Sequence, residues 1–157
     1  MTGCMAMNDK RERCDEKPLV SVILIAYNQR RYIRQAIESV LAQETSFSYE
    51  LLIGDDASDD GTSGIVAEYA QAYPDRVRAF IRPENLGAAR NAVLLLQQAR
   101  GEFIASLEGD DYWIDPRKLE KQAAFLRESP DFIGCTSRIR CVDENGRAIR
   151  GKPEWIR

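Results

Sequence analysis

The chain has 157 residues, 44% apolar and 30% charged, which suits one domain with a real core. Its 25 acidic and 22 basic residues leave a net charge of −3, and the basic residues are scattered without interleaved aromatics, which argues against a nucleic-acid surface. There is no histidine, no CxxC pair among Cys4, Cys14, Cys135 and Cys141, and no apolar run near the roughly 20 residues of a membrane helix. Zinc sites and histidine-based catalysis are thereby set aside.

Residues 1–17 are polar and charged and lack the apolar centre of a signal peptide, so they read as a disordered leader before one domain over residues 18–157. The cysteines read as free thiols in a reducing cytoplasm. From Pro18 onward strands and helices alternate. Val20–Ala26 is almost wholly apolar, as in a strand covered on both faces. Ile33, Ala36, Ile37, Val40 and Leu41 form one helical stripe. Residues 49–53 read as a second strand. Residues 62–73 read as a helix with Ile65, Val66, Tyr69, Ala70 and Tyr73 inward, stopped by Pro74.

Val77–Ile81 is a third strand, and residues 87–99 are a third helix closed by Gly101. Residues 103–107 form a fourth strand. Asp115-Pro116 looks like an N-cap with proline at the first helical position, opening a helix through Leu119, Ala123 and Leu126. Residues 132–142 are expected as a fifth strand, and Asp143-Glu144-Asn145-Gly146 as a hairpin turn.

This series predicts an α/β fold, a three-layer αβα sandwich with a mostly parallel central sheet. The carboxyl ends of parallel strands share one edge, where ligands bind. Tyr27-Asn28, the Asp55–Gly61 loop, the Arg82–Gly87 loop and Glu108-Gly109-Asp110-Asp111 all fall there. Two carboxylates roughly 4 Å apart repel by about 4 kcal/mol at an effective dielectric near 20. A bound Mg²⁺ or Mn²⁺ relieves such repulsion with oxygen ligands and keeps positions open for phosphate. For Asp110 and Asp111 the metal reading is preferred; for Asp59-Asp60 a solvated turn and helix cap is preferred.

Asp56–Gly61 imitates the start of an EF-hand loop, but the twelfth position is Ala67, not glutamate. No GxxxxGK[ST], GxGxxG or GxSxG motif occurs. Asn85-Leu86-Gly87-Ala88-Ala89-Arg90-Asn91 opens the third helix with small residues, so a ligand can approach the backbone. Arg90 adds a positive charge there, as fits either an anion contact or an exposed surface residue. Tyr27 reads equally as a ring for a base or as a lid on the core.

Taken in order, VSVILIAYN, ELLIGDDASDDGT, NLGAARN and GEFIASLEGDDYW resemble family 2 glycosyltransferases of the GT-A fold over roughly residues 18–141. The resemblance implies a Rossmann-like sandwich, a nucleotide-sugar donor such as a UDP-sugar, and a carbohydrate or glycan-precursor acceptor. It implies that Ile25, Ala26 and Tyr27 lie along the nucleoside, that Asp56 bonds the base or ribose, and that Asp110 and Asp111 occupy the metal motif, Asp111 as the direct ligand. Glu108 stands where the family's motif has aspartate. Inverting members use a carboxylate base downstream, and no residue of this tail is assigned that role, Asp143 and Glu144 lying in the expected turn. The sheet is accordingly expected to be truncated at its C-terminal side. The rival readings are a nucleotide-sugar-binding module without turnover, and a nucleotidyltransferase, which lacks a basic, glycine-rich loop after the first strand.

Overall fold

The computed structural model describes residues 17–149; the leader expected over residues 1–17 lies almost wholly outside them. Four strands and four helices alternate: β1 (Val20–Ala26), α1 (Ile33–Leu41), β2 (Tyr49–Asp55), α2 (Thr62–Ala72), β3 (Val77–Ile81), α3 (Ala88–Leu96), β4 (Phe103–Glu108) and α4 (Lys118–Glu128). The strands form one sheet in the order β3-β2-β1-β4, and all three pairings are parallel. Central β1 and β2 are buried on both faces, which explains their continuous apolar sequences.

One face of the sheet carries Val20, Val22, Leu24, Leu51, Ile53 and Leu107 against Ile33, Ile37 and Val40 of α1, Val66 and Tyr69 of α2, and Leu119 and Ala123 of α4. On the other face, Ile23 and Leu52 pack on Leu95 of α3. The result is the expected three layers. α3 packs mainly on β1 and β2, and Ile104 of β4 stays 45% exposed, as do Val93 at 51% and Leu96 at 44% on the helix.

Three expectations are corrected. Tyr73 is 46% exposed rather than inward; it lies past the end of α2 and stacks on Tyr69 from outside. Asp115 does not cap α4 directly: its carboxylate accepts from Arg117 N at 2.9 Å in a turn before the helix, which starts at Lys118. Residues 132–142 form no strand. Among the described residues they are exposed up to Arg140 and bond neither sheet edge; a strand pattern without a partner strand leaves its backbone in water. The Asp143–Gly146 turn does form, closed by Asp143 N to Arg147 O at 2.8 Å and an antiparallel bridge between Val142 and Ala148.

The amino edge of the sheet is locked by Glu50, 2% exposed. Its carboxylate accepts from Ser21 Oγ (2.7 Å), Arg78 Nη1 (3.1 Å), and the Arg100 amide (2.9 Å) and guanidinium (2.8 Å). Burial by itself pushes this carboxyl up, but the bonds from Arg100, Ser21 and Arg78 outweigh it and hold it below the ordinary range. A depressed carboxylate stabilises the fold above its unfolded pKa and loses that contribution as pH falls through the folded value. Glu50→Gln should therefore lower the unfolding free energy by about 2 kcal/mol at neutral pH, since it leaves two guanidinium groups half-paired. Urea titrations should show the gap from wild type closing below about pH 4.

Candidate functional site

At the carboxyl edge, β1 and β2 end in register, Ala26 beside Asp55. Side chains alternate across a strand, so Asp55 and Asp56 point to opposite faces. Asp55 is fully buried, and its carboxylate accepts from the Ser58 and Ser63 hydroxyls. Asp56 faces the α3 side, where it accepts from Leu86 N at 2.9 Å and Gly87 N at 2.8 Å. It thereby fixes the loop entering α3, and each oxygen keeps one lone pair for another donor.

The residues after each strand leave the sheet through left-handed turns at Asn28 (φ 53°) and Ala57 (φ 63°). For alanine this conformation costs about 1–2 kcal/mol. Strain of this kind persists where surrounding bonds over-determine it. Asp60 supplies several: its carboxylate accepts from Arg30 N (2.9 Å), Thr62 N (2.9 Å) and Thr62 Oγ1 (2.6 Å). The N-cap of α2 is Gly61, without a side-chain bond, so Asp60 braces the turn before the helix, as Asp115 does before α4, rather than capping it.

α3 is seated on the β2 backbone. Asn91, 1% exposed, donates to Gly54 O at 2.8 Å and accepts from Arg82 Nε at 3.1 Å. A side chain at Gly54 would meet Asn91 Oδ1 at 2.6 Å and Leu95 Cδ1 at 2.9 Å, so only glycine lets the helix come this close.

Between these elements lies a cavity of about 380 Å³. Ile25, Ala26, Tyr27 and Gln29 from β1 and its loop form one wall, with Asp56 beside them. Asn85, Gly87, Ala88 and Asn91 from α3 and its approach form another, and Glu108 closes the β4 side. Of the expected residues, Ile25, Ala26, Tyr27 and Asp56 line this cavity. Arg90 is exposed and does not, nor do Asp110 and Asp111, which are also exposed and follow Glu108 in the chain. Sequence reasoning did not place Gln29 or Asn91 here. For Asn91 a signal existed: a polar residue four positions before Leu95, on the stripe that faces the sheet.

Gly109 brings β4 against β1: its amide donates to Ile25 O at 3.0 Å, and a Cβ there would strike Gln29 Oε1, itself buried without a partner among the described residues. Beyond it, Asp110 and Asp111 form no ion pair among the described residues. Burial first, and the Asp110 charge second, push the Asp111 carboxyl above the usual carboxylate range. No cluster of three histidine, cysteine or acidic side chains able to hold a metal occurs among the described residues. Nor is any helix there long and apolar enough to cross a membrane.

A parallel αβα sandwich with its cleft at the carboxyl edge and an acidic pair after β4 defines a GT-A domain of the glycosyltransferase class. The family model for glycosyl transferase family 2 matches residues 21–156, and the chain belongs to that family. An uncharacterized protein of Mycobacterium tuberculosis is 44% identical over 127 residues, 81% of this chain and 37% of that one. The mannosyltransferase PcManGT from Pyrobaculum calidifontis, solved with GDP-Man and Mn²⁺, superposes with a TM-score of 0.63 at 26% identity, covering 72% of this chain and 33% of that one. S. aureus TarS 1-349 in complex with UDP gives 0.60 at 32% identity, covering 69% and 32%. The chain thus spans about one third of the length of these relatives.

Proposed function

We propose that this domain binds the donor of a glycosyl transfer, a nucleoside diphosphate sugar with UDP as the nucleotide, and does so with a divalent cation. The observation that carries the reading is the pair Asp110 and Asp111, which form no ion pair among the described residues and follow directly after Glu108 and Gly109, Glu108 being part of the lining of a nucleotide-sized cavity. Two adjacent acids without an ion-pair partner among the described residues fit a hard cation, and a diphosphate supplies the oxygens that two side chains leave unfilled. Mg²⁺ and Mn²⁺ both suit this set. The neighbours solved with GDP-Man and Mn²⁺ and with UDP support the same class of ligand.

In this reading Ile25, Ala26 and Tyr27 lie along the nucleoside. The free lone pairs of Asp56 accept from the base or ribose, and Gly87 and Ala88 let the ligand approach the α3 backbone. Arg90 is held in reserve for the diphosphate, which it would have to reach from its exposed position. When bound, the cation offsets the charge that builds on the departing diphosphate. The acceptor is a carbohydrate or glycan precursor, and the transfer inverts the anomeric centre, which requires a carboxylate to take the acceptor hydroxyl proton. We assign that role to neither Asp143 nor Glu144. The Asp143 carboxylate accepts from Asn145 and Arg147 amides inside the hairpin, and Glu144 pairs with Arg31 at 3.3 Å.

Calorimetry with UDP, GDP and their sugar conjugates, with and without Mn²⁺, tests the proposal. Saturable binding of a nucleoside diphosphate that strengthens at least about tenfold with Mn²⁺ supports it. Binding indifferent to the metal removes the cation, and no nucleotide binding removes the donor site.

A further inference from the structure

Asn28 follows Tyr27 in the chain, lies outside the cavity wall, and has its backbone in the left-handed region at φ 53°. Asparagine tolerates that region better than any residue except glycine. The turn lets the chain leave β1 for α1 just after Tyr27. Its backbone amide and its side-chain oxygen reach across to the loop after β2. The Asn28 amide donates to Ser58 Oγ at 2.9 Å, and Asn28 Oδ1 accepts from the Asp59 amide at 3.0 Å. Ser58 Oγ in turn donates to buried Asp55, the residue before Asp56.

These bonds form a chain of constraint. Tyr27 is tied through Asn28 to the Asp55–Asp59 turn. Asp56, within that turn, holds the Leu86 and Gly87 amides at the entrance to α3. The strained turn at Ala57 is clasped between the same bonds. The Asn28 backbone and side chain thus join the loop after β1 to the loop after β2, and both loops contribute residues to the cavity.

We propose that Asn28 is a positioning residue for the nucleotide: its left-handed turn and its two bonds to the Ser58-Asp59 backbone and hydroxyl hold Tyr27 and Asp56 at their working separation. The proposal rests on the reading of the cavity as the donor site. It makes side-chain and backbone roles separable. Asn28→Asp keeps tolerance of the turn and the acceptor for Asp59. Asn28→Gly keeps the turn and loses the acceptor. Asn28→Ala loses both.

The test measures UDP and GDP affinity with Mn²⁺ by calorimetry, well below the melting temperature of every variant, together with amide exchange at Leu86 and Gly87 in the nucleotide-free protein. Asn28→Asp should bind within about threefold of wild type. Asn28→Gly should bind about tenfold more weakly, with Leu86 and Gly87 exchanging about tenfold faster, although it remains folded. Asn28→Ala should be at least as weak and should also melt earlier. A purely structural asparagine would lower the melting temperature and leave the affinity of the folded protein unmoved. Wild-type affinity in Asn28→Gly, or equal loss in Asn28→Asp and Asn28→Gly, overturns the proposal. If the wild-type protein binds neither nucleotide, the donor-site reading fails, and unchanged exchange at Leu86 and Gly87 in Asn28→Gly then overturns the positioning role independently.

Discussion

Asp111→Asn should weaken Mn²⁺-supported binding of a nucleoside diphosphate by about a hundredfold while making the nucleotide-free protein more stable. The two effects have one origin. Burial and the charge of Asp110 hold the Asp111 carboxyl above its ordinary pKa, so the folded state is strained by ionising it. A raised carboxyl contributes stability that is fully present below its unfolded pKa and is lost as pH rises through the folded value. At neutral pH the wild-type protein has lost that contribution, and an uncharged amide of the same shape restores it. The site is partly solvated, so the gain is small, about 2 °C in melting temperature for a change near 0.5 kcal/mol. It should vanish at acid pH, where Asp111 is protonated. A cation reverses the balance, because it turns the repulsion into ligation, and losing one ligand then costs the bulk of the affinity. Thermal unfolding across pH and calorimetry with Mn²⁺ check both halves. A variant that keeps Mn²⁺-supported binding while gaining stability would show that the pair is not a metal site.

Gly101→Ala should be the most destabilising of the small substitutions, at about 3 kcal/mol. A Cβ at Gly101 would overlap Ser21 N and come within 2.7 Å of Val20 C, both backbone atoms of β1. Side chains can rotate away from such a contact, but a central strand bonded on both sides cannot. The Gly101 amide also donates to Ser21 Oγ at 2.8 Å, so displacing it loosens the Glu50 network. With total stabilities of roughly 5–15 kcal/mol, a loss of this size approaches unfolding at physiological temperature. Gly64 in α2 supplies the contrast. Nothing lies within 4 Å of a Cβ there, and Gly64→Ala should stabilise by roughly 0.5–1 kcal/mol through helix propensity. Urea denaturation of both variants reads the opposite signs directly.

The elements were legible because their signals are local. The unbroken apolar run of β1, the helical stripe from Ile33 to Val40 and the stop at Pro74 need no knowledge of the rest of the chain. The exceptions arise where local pattern and tertiary partner part company. Residues 132–142 carry a strand-like sequence but pair with none of the four strands among the described residues, and Tyr73 continues an apolar spacing past the end of α2. The site divides in the same way. Alternation of strand and helix was enough to bring Tyr27, Asp56 and Glu108 to one edge, since parallel strands end on the same side.

What each carboxylate does there was settled by its partners in space. Asp55 and Asp56 are adjacent and chemically identical, yet one is sealed by Ser58 and Ser63 and the other holds the Leu86 and Gly87 amides. Only the packed sheet, by sending successive side chains to opposite faces, decides between them. The same holds for Gln29 and Asn91, whose place in the cavity depends on how closely Gly54 and Gly109 let neighbouring elements approach. Sequence alone determined the order of elements and the edge at which the acids gather, because periodicity and chirality act along the chain. Tertiary structure decided which acids are already bonded and which stand open to a ligand, because hydrogen bonding in a buried cleft is set by distance in space.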